Sequence, residues 1–321
     1  MNIIKNRYMY FFISLLVIIP GLIFLGIHWV ENPSEGPLPL GIDFTGGSLL
    51  EVQFASGKQP SAADVTAIFN QFSTPAEPLG EPVIQPLGTD SLSIRYRTIS
   101  DADGMKSKLV AEMAKRFDTQ VTVLNFTSVS AAVGKEVTGT AALAVAAAAL
   151  AILLYIWFAF RGLKHAFRYG TAAITAMLHD VLVVLGVEAI LGYFLGWQAD
   201  SLFLTALLTV IGFSVHDTIV VFDRIRENLG TYRRVEFETV VNHSVVQTLD
   251  RSINTQLTVM FTLLALALFG GDTIRQFVVI LLVGVFSGTY SSIFNASPIL
   301  VVWENREWNN WFRKNNSTEA A

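Results

Sequence analysis

The residues of this sequence that could do chemistry are ionisable side chains inside apolar stretches. Asp217 follows His216 within the apolar run 201–222, and at 1.5 Å of helix rise per residue it lies about 10 Å deeper than Arg224. A carboxylate among lipid tails is costly unless it is paired, protonated or open to a wet cavity. The position therefore predicts a proton-binding group or a buried ion pair.

Arg251, near the start of another apolar run, is the basic residue best suited to act with Asp217. Because arginine keeps its proton, its useful role is to stabilise the ionised carboxylate in one conformation and to release it in another. We therefore predict that the two residues relay protons. A fixed ion pair that holds two helices together is the alternative, and the sequence does not show whether the side chains touch.

A second pair of polar residues, His179 and Asp180, lies near the middle of the apolar run 171–194. Both side chains can titrate, so they are candidates for the same relay. A packing hydrogen bond between two helices explains them equally well. His216 is the last relay candidate, with a purely polar neighbour of Asp217 as its alternative, and Glu188 is interpreted as a structural or interfacial residue.

The composition excludes several classes of function. The 321 residues are 52% hydrophobic and 15% charged, whereas soluble domains are typically about 25% charged, so an integral membrane protein is indicated. The chain has no cysteine, and its histidines form no metal-ligand spacing, so no metal or other cofactor is expected. A net charge of −4 gives no sign of nucleic-acid binding. A phosphate-binding loop is also missing from the sequence, which favours an ion gradient or a partner protein as the energy source.

Six apolar segments have the length needed to cross a bilayer, which predicts an α-helical membrane protein. No signal-peptide cleavage site is evident after the first segment, so we interpret it as an uncleaved anchor. A buried helix of a soluble protein could resemble one such segment, but five further runs in succession favour membrane spans. The predicted spans are 8–26, 139–159, 171–194, 201–222, 253–270 and 276–303.

The segment 31–138 has a soluble composition and is predicted to form one α+β domain between the first and second spans. Its hydrophobic pattern alternates between the periods of strands and helices. The resulting order β-α-β-β-α-β is that of the ferredoxin-like arrangement, which does not by itself identify a function. The predicted strands are 48–54, 83–87, 91–97 and 121–126, and the predicted helices are 62–72 and 101–117.

Basic residues predict the orientation in the membrane. Arg161, Lys164 and Arg168 lie between the second and third spans without an acid among them, and four arginines follow in the predicted loop 223–250. Both regions should therefore lie in the cytoplasm, with both chain ends. The predicted divisions are a cytoplasmic N-terminus with the first span (1–30), the extracytoplasmic domain (31–138), five spans with the cytoplasmic loop 223–250 (139–303) and a cytoplasmic tail (304–321).

Four segments together carry a resemblance to a known family. On these residues the chain resembles the SecF subunits of the bacterial Sec protein-export machinery, which belong to the SecD/SecF family and to the larger resistance-nodulation-division (RND) superfamily. The segments are GIDFTGG at 41–47, AMLHD at 176–180, residues 210–228 and QTLDRSINT at 247–255. The family motif in the first segment consists of Asp43, Phe44, Thr45, Gly46 and Gly47.

The resemblance implies an RND-type half of six helices that pairs with SecD in the bacterial cytoplasmic (inner) membrane, in contact with lipids. It also implies that the complex helps unfolded preproteins through the SecYEG channel. The ATPase SecA would drive the early stage, and the proton-motive force would help to complete it. The transmembrane aspartate and arginine implicated in proton passage in the family correspond to Asp217 and Arg251.

The chain departs from the family pattern beside its relay candidates. His216 stands where many relatives have asparagine, Phe213 where relatives tend to have tyrosine, and Gln256 where they tend to have serine. The first difference could add a second titrating group next to Asp217. The difference at His216 therefore leaves the operating pH open.

The predicted mechanism is conformational coupling between the spans and the outer domain. A proton that neutralises Asp217 would weaken its attraction to Arg251 and let the helices repack, and one charge moving through 100 mV is worth about 2.3 kcal/mol. Three alternatives remain: a scaffold that stabilises the translocon without transport, a small-solute efflux subunit and a membrane enzyme. The small outer domain disfavours efflux. An enzyme is not expected, because the sequence offers no nucleophile with a matching base.

Overall fold

The described part of the chain consists mainly of long apolar helices and one small sheet. The structure is a computed structural model, and it describes residues 2–33, 36–55, 57, 59–74, 79–97, 102–162 and 165–307. Lys164 and residues 308–321 of the predicted tail lie outside this part. The elements in chain order are α1 (Arg7–Glu31), α2 (Ile42–Thr45), β1 (Gly47–Phe54), α3 (Ala62–Phe72), β2 (Val83–Leu87), β3 (Ser91–Tyr96), α4 (Ala102–Arg116), β4 (Val121–Val129), α5 (Ala131–Ala159), α6 (Ala166–Leu195), α7 (Ser201–Thr231), α8 (Phe237–Phe269), α9 (Asp272–Ser291) and α10 (Ser297–Glu304).

Within the described residues, six helical segments are long and apolar enough to cross a membrane, which confirms the six predicted spans. Helices α1, α5, α6, α7 and α8 each form one segment, and α9 and α10 form the last, joined by a π-helical turn at Ser292–Ala296. The most apolar stretches of α6 and α7 are each 50% buried and that of the α9–α10 segment is 56% buried, against 6% in α5. Helices α6, α7 and α9 are therefore the centre of the bundle, and α5 leaves most of its surface uncovered.

Two predicted boundaries need correction, because the helices extend beyond the apolar runs. The predicted loop 223–250 is reduced to residues 232–236, since α7 continues to Thr231 and α8 begins at Phe237. In the extended part of α7, Arg224 donates to Glu227 one turn later at 2.9 Å, a pairing that stabilises an exposed helix. Helix α5 likewise begins at Ala131, inside the predicted domain segment 31–138. The apolar run identifies the part of a helix that can lie in the lipid bilayer. It does not identify the polar turns by which the helix extends beyond that run.

The soluble segment forms a four-stranded antiparallel sheet with strand order β2-β3-β1-β4. Helices α3 and α4 connect β1 to β2 and β3 to β4, so the chain follows the β-α-β-β-α-β order that its sequence pattern predicts. Apolar residues of the sheet and of both helices form one core, separate from that of the membrane helices. Its fully buried members include Leu50, Val52, Phe69, Ile94 and Leu109.

Small residues allow the central helices to approach closely. A Cβ atom on Gly288 of α9 would lie 3.2 Å from the Cα atom of Ser214 on α7. This is closer than most side-chain contacts, so glycine suits the position, as is common between membrane helices. The close approach brings polar side chains of α7 and α9 within reach of α6.

Candidate functional site

Asp217 lies in the interior of the bundle on α7, where it is 3% exposed. Its carboxylate accepts a hydrogen bond of 2.5 Å from the Nε2 amide of Gln256 on α8. The other amide atom, Oε1 of Gln256, is buried and has no hydrogen-bond partner among the described residues. The buried carboxylate is thus held by a neutral amide. The sequence pattern singled out Asp217, and it gave Gln256 only as a departure from the family pattern and not as the partner of Asp217.

Arg251 does not reach Asp217 in this structure. No ion pair joins the two described side chains, and Arg251 is exposed. It precedes Gln256 by five residues on α8, which places the two side chains about 140° apart around the helix. Arg251 instead lines a cavity of about 500 Å³ between α5, α7 and α8, together with Asp223, Glu227 and Thr248.

His216 points away from the interior of this chain. It is exposed on α7, as expected for a residue about 100° around the helix from buried Asp217. Two further exposed residues, Thr205 and Gly212, precede it on the same face at helical spacing. His216 therefore faces lipid or a partner rather than the buried polar groups of this chain.

Asp180 on α6 is the centre of a buried hydrogen-bond network and is 1% exposed. Its Oδ1 atom accepts from the Ser287 hydroxyl at 2.6 Å and lies 3.0 Å from Nδ1 of His179. Its Oδ2 atom accepts from Ser214 at 2.5 Å and from Ser291 at 2.6 Å. Four partners from α6, α7 and α9 therefore satisfy one carboxylate.

The serines around Asp180 could not be identified from the sequence. Ser287 and Ser291 lie one helical turn apart on α9, which is the one available signal, and isolated serines are common in membrane helices. The ring of His179 stacks at 26° on Tyr290, with 6.2 Å between ring centroids. Its Nε2 atom is buried without a partner among the described residues.

The motif that contains Asp43 attaches the soluble domain to the start of α7. Oδ2 of Asp43 accepts hydrogen bonds from the backbone N–H of Ser201, at 2.9 Å, and from the Ser201 hydroxyl. Asp200 caps the same helix by accepting from the Phe203 N–H at 2.8 Å. Two carboxylates thus satisfy N–H groups at the N-terminus of α7, where negative charge is favourable. The helix that begins here is the one that carries Asp217.

The same motif packs against the start of α5. Gly46 has a φ of +76°, and a Cβ atom there would lie 2.7 Å from Cα of Ala131, so glycine is required for both conformation and space. The backbone oxygen of Phe44 accepts from the Thr138 hydroxyl at 3.1 Å. Thr45 closes the turn on the Gly41 oxygen at 3.1 Å, and Gly47 begins β1. The motif therefore joins the sheet to α5 as well as to α7.

A buried polar cluster lies at the same junction. Gln276 of α9 donates to Oε1 of Glu188 on α6 at 2.7 Å and to the backbone oxygen of Gln198 at 2.8 Å. Glu188 thus ties α6 to α9 at the end of the bundle nearest the soluble domain. This position agrees with the structural role that the sequence suggested for it.

The domain contributes Arg95 of β3 to this cluster. Its Nη2 atom donates to Gln85 at 3.3 Å, and its Nη1 atom is buried without a partner among the described residues. Burial lowers the pKa of Arg95, and the nearby carboxylates of Asp200 and Glu51 oppose the shift. Burial raises the pKa of Asp200, opposed by the hydrogen bond from the Phe203 N–H and supported by the Asp43 charge. Charges of the domain and of the membrane helices therefore act on each other at this junction.

Comparison with family models finds two matches along the chain. Residues 109–306 match the model described as "Protein export membrane protein SecD/SecF, C-terminal". Residues 36–57 match the "SecD/SecF GG Motif" model. The first match contains Asp180, Asp217 and Arg251, and the second contains the motif from Asp43 to Gly47.

Two relatives that match along the whole chain have the same name. The chain is 54% identical over 322 residues to the protein translocase subunit SecF of Anaerolinea thermophila, with 100% of both chains covered. It is 48% identical over 330 residues to the protein of the same name from Thermobaculum terrenum, with 100% of this chain and 99% of the relative covered.

A solved structure extends the likeness to three dimensions. The crystal structure of SecDF, a translocon-associated membrane protein from Thermus thermophilus, matches with a TM-score of 0.78 at 30% identity. The match covers 95% of this chain and 39% of the SecDF chain. This chain thus corresponds to part of a longer protein that combines SecD and SecF in its name.

Proposed function

The chain belongs to the SecD/SecF family of protein-export membrane proteins as a SecF-type subunit, and from that premise we propose that it uses the proton-motive force to assist preprotein translocation. It would work with a SecD partner beside the SecYEG channel and its ATPase SecA, in the cytoplasmic membrane. The soluble domain would lie outside and hold the emerging preprotein, and both chain ends would lie in the cytoplasm. The observation that carries the proposal is the buried carboxylate of Asp217, whose described partner is a neutral amide.

An amide partner suits a carboxylate that changes protonation. The Nε2 group of Gln256 donates to Asp217 at 2.5 Å, which satisfies the ionised form. After protonation, the acid becomes a donor, and the Oε1 atom of Gln256, now without a partner among the described residues, can accept from it. Both protonation states of Asp217 can therefore be hydrogen-bonded by one residue after a rotation of its amide.

Arg251 would act in another step of the cycle. In this structure it faces the cavity of about 500 Å³, about 140° around α8 from Gln256. A rotation or tilt of α8 against α7 would exchange the amide for the guanidinium beside Asp217. Pairing with a cation would then favour release of the proton, which is the two-conformation relay inferred from the sequence.

For His179 and Asp180 the geometry favours a fixed anchor over a relay. A carboxylate with four hydrogen-bonding partners on three helices is satisfied where it stands. Removing a proton acceptor of this kind would leave several buried donors unpaired. We therefore propose that Asp180 holds α6, α7 and α9 together while α8 moves relative to them.

The outward face of α7 is the proposed contact with SecD. Thr205, Gly212 and His216 are exposed on this face in the isolated chain. An exposed histidine within a membrane span is unfavourable against lipid tails. A partner helix with a polar group opposite His216 would satisfy it, and the match to the SecDF structure supports a SecD partner for this chain.

The test replaces Asp217 with the neutral isostere asparagine in the complex with its SecD partner. We expect proton flux and gradient-dependent export to fall by at least about tenfold, with assembly of the complex unchanged. Asp250→Asn is the matched control, because Asp250 is an exposed acid on α8 and should leave both activities intact. Unchanged export in Asp217→Asn would overturn the proposal and leave a passive scaffold of the translocon.

A further inference from the structure

Four polar residues are buried at intervals of four residues along one face of α8. Ser244, Thr248, Ser252 and Gln256 are 0%, 5%, 4% and 3% exposed. The two end members, Ser244 and Gln256, contact α7, and a spacing of four residues keeps the members between them near the same side of α8. Apolar residues would pack such a face without the cost of burying polar groups. Packing alone therefore does not account for these four polar residues, which are called the polar stripe below.

The stripe connects two polar ends of the α7–α8 contact. At one end Gln256 donates to Asp217. At the other end Ser244 accepts a hydrogen bond of 2.8 Å from Nδ2 of Asn228, near the end of α7. Between these ends α7 presents Val221 and Ile225, both fully buried. Fully buried apolar residues of α7 therefore lie between the two polar ends, and the buried polar stripe of α8 spans the same stretch.

The cavity beside Arg251 reaches this stripe. It has a volume of about 500 Å³ and is lined by charged residues of α7 and α8, and it also includes Thr248. A cavity of this size with several polar groups can hold water. Successive members of the stripe are about 6 Å apart along the helix. Thr248 lines the cavity, and Gln256 contacts Asp217. Ser252 lies between them on α8, one helical turn from each.

The hydroxyl groups of Ser244 and Thr248 are bonded to their own helix in this structure. Thr248 Oγ1 donates to the Ser244 oxygen at 3.1 Å, and Ser244 Oγ donates to the Val240 oxygen at 2.8 Å. Each hydroxyl oxygen keeps a lone pair that can accept from water. These hydroxyl groups therefore keep hydrogen bonds while α7 and α8 are in contact. When the two helices separate, they can also hydrogen-bond to a row of water molecules.

We propose that Thr248, Ser252 and Gln256 form the path along which protons pass between this cavity and Asp217, with Ser252 as its closed point. The inference rests on the proposed function, since it assumes that Asp217 is the proton-binding group. In each passage a protonated water in the cavity loses an O–H bond, and Asp217 gains one. Water and the hydroxyls of Thr248 and Ser252 each accept one proton and give up another, so they are unchanged at the end. Gln256 lines the path by hydrogen bonding and keeps its own protons throughout.

The first test removes the hydroxyls with little change of shape. In the complex with the SecD partner, the double variant Thr248→Val and Ser252→Ala should lower proton flux and gradient-dependent export by about tenfold. Thr258→Val is the matched control, because Thr258 lies on the exposed face of α8 and donates to the backbone oxygen of Thr255 at 2.6 Å. Proton flux in this control should equal that of the unchanged protein.

The outcomes separate the path from the function on which it rests. If Asp217→Asn abolishes proton flux and the double variant does not alter it, the path is wrong and the proposed function stands. If Asp217→Asn also leaves the flux unchanged, the proposed function fails together with the path. Assembly with the partner, measured for each variant, identifies a loss of flux that results from misfolding.

A second test uses the absence of cysteine from the chain, which allows single thiols to be placed and labelled. Ser252→Cys should react with a membrane-impermeant thiol reagent added from the side of residues 232–236, and faster when a gradient drives the cycle. Ser287→Cys is the control, because Ser287 is equally buried on α9 beside Asp180, away from the cavity. Equal labelling of the two positions would overturn the path even where the double variant alters flux.

Discussion

The carboxylate of Asp43 accepts a hydrogen bond of 2.9 Å from the backbone N–H of Ser201 and another from the hydroxyl of that residue. Asp43 belongs to the turn that leads into the sheet, and Ser201 is the first residue of the helix that carries Asp217. A displacement of α7 along its axis would therefore pull directly on the turn that leads into the soluble domain. This contact gives the domain a physical connection to the proposed proton site.

Replacing Asp43 by alanine should weaken this connection. Loss of one helix cap is expected to lower the free energy of unfolding by about 1 kcal/mol. Because the link to the domain is lost while Asp217 is untouched, gradient-dependent export should fall more than proton flux, with both measured in vesicles. Asp64→Ala is the control, since Asp64 pairs with the cap Ser61 of α3 at 2.6 Å and lies away from the junction. Equal losses of export in the two variants would contradict the coupling role.

Gly46→Ala should destabilise the junction for two separate reasons. The residue has a φ of +76°, and the new methyl group would lie 2.7 Å from Cα of Ala131. Backbone strain of this kind costs about 1–3 kcal/mol, and overpacking adds about 1–3 kcal/mol. Gly57→Ala isolates the first contribution, because Gly57 has a φ of +67° with no atom within 4 Å of the added Cβ. Thermal unfolding should show a larger loss of stability for Gly46→Ala than for Gly57→Ala. Equal losses would mean that α5 shifts away from the added methyl group without cost.

The sequence predicted the elements well because each has a strong local signal. The alternation of Ser91–Tyr96 and the apolar period of Ala62–Phe72 identify a strand and a helix without knowledge of their neighbours. Asp217 could be singled out in the same way, because a carboxylate in an apolar run is conspicuous wherever the helix packs. These properties depend on one segment at a time.

The partners of the site residues depend on how the helices are rotated against each other, which no single segment encodes. Arg251 was the expected partner of Asp217. In the structure the partner is Gln256, five residues further along α8. Likewise, nothing in the serines at 287 and 291 indicates that they meet a carboxylate on α6. A residue about 100° further around a helix faces a different neighbour, so small errors in helix rotation change every partner.

The pKa of Asp200 predicts how stability depends on pH at the junction. Burial raises this pKa in the folded chain, so the folded state binds more protons than the unfolded state above the ordinary value of about 3.9. Stability contributed by the protonated group is therefore complete below that value and is lost as pH rises through the raised pKa. Asp200→Asn keeps a good helix cap and should remove this loss, so its melting temperature should exceed that of the unchanged protein near pH 7.

Asp90 provides the control of opposite sign for that experiment. Hydrogen bonds from Gln53 and Ser91 lower its pKa in the folded chain. Its contribution to stability is present above the ordinary value and is lost as pH falls through the lowered pKa. Asp90→Asn should therefore leave the melting temperature at low pH unchanged and reduce it at neutral pH. The same direction of change in both variants would contradict the assignment for Asp200.

Asp180→Asn should affect stability more than Asp217→Asn. The amide that replaces the carboxylate has one acceptor oxygen for four surrounding partners, so buried donors lose partners at about 1–3 kcal/mol each. Ser287→Ala removes one of these donors and should cost about 1 kcal/mol without loss of proton flux. Unfolding of the purified complex and proton flux in vesicles measure the two effects. A variant Asp180→Asn with unchanged stability and no flux would show that Asp180 is a relay and not an anchor.

Gln256→Leu should destabilise the chain through Asp217. The leucine is of similar size but leaves a carboxylate that is 3% exposed without its described donor, at a cost of about 1–3 kcal/mol. If that hydrogen bond is the cause, the cost should nearly vanish in an Asp217→Leu background, where an apolar pair replaces a polar one. Unfolding free energies of the two single variants and the double variant give the coupling energy directly. Strictly additive losses would mean that the amide supports α8 by packing alone, and Gln256 would then have no part in proton binding.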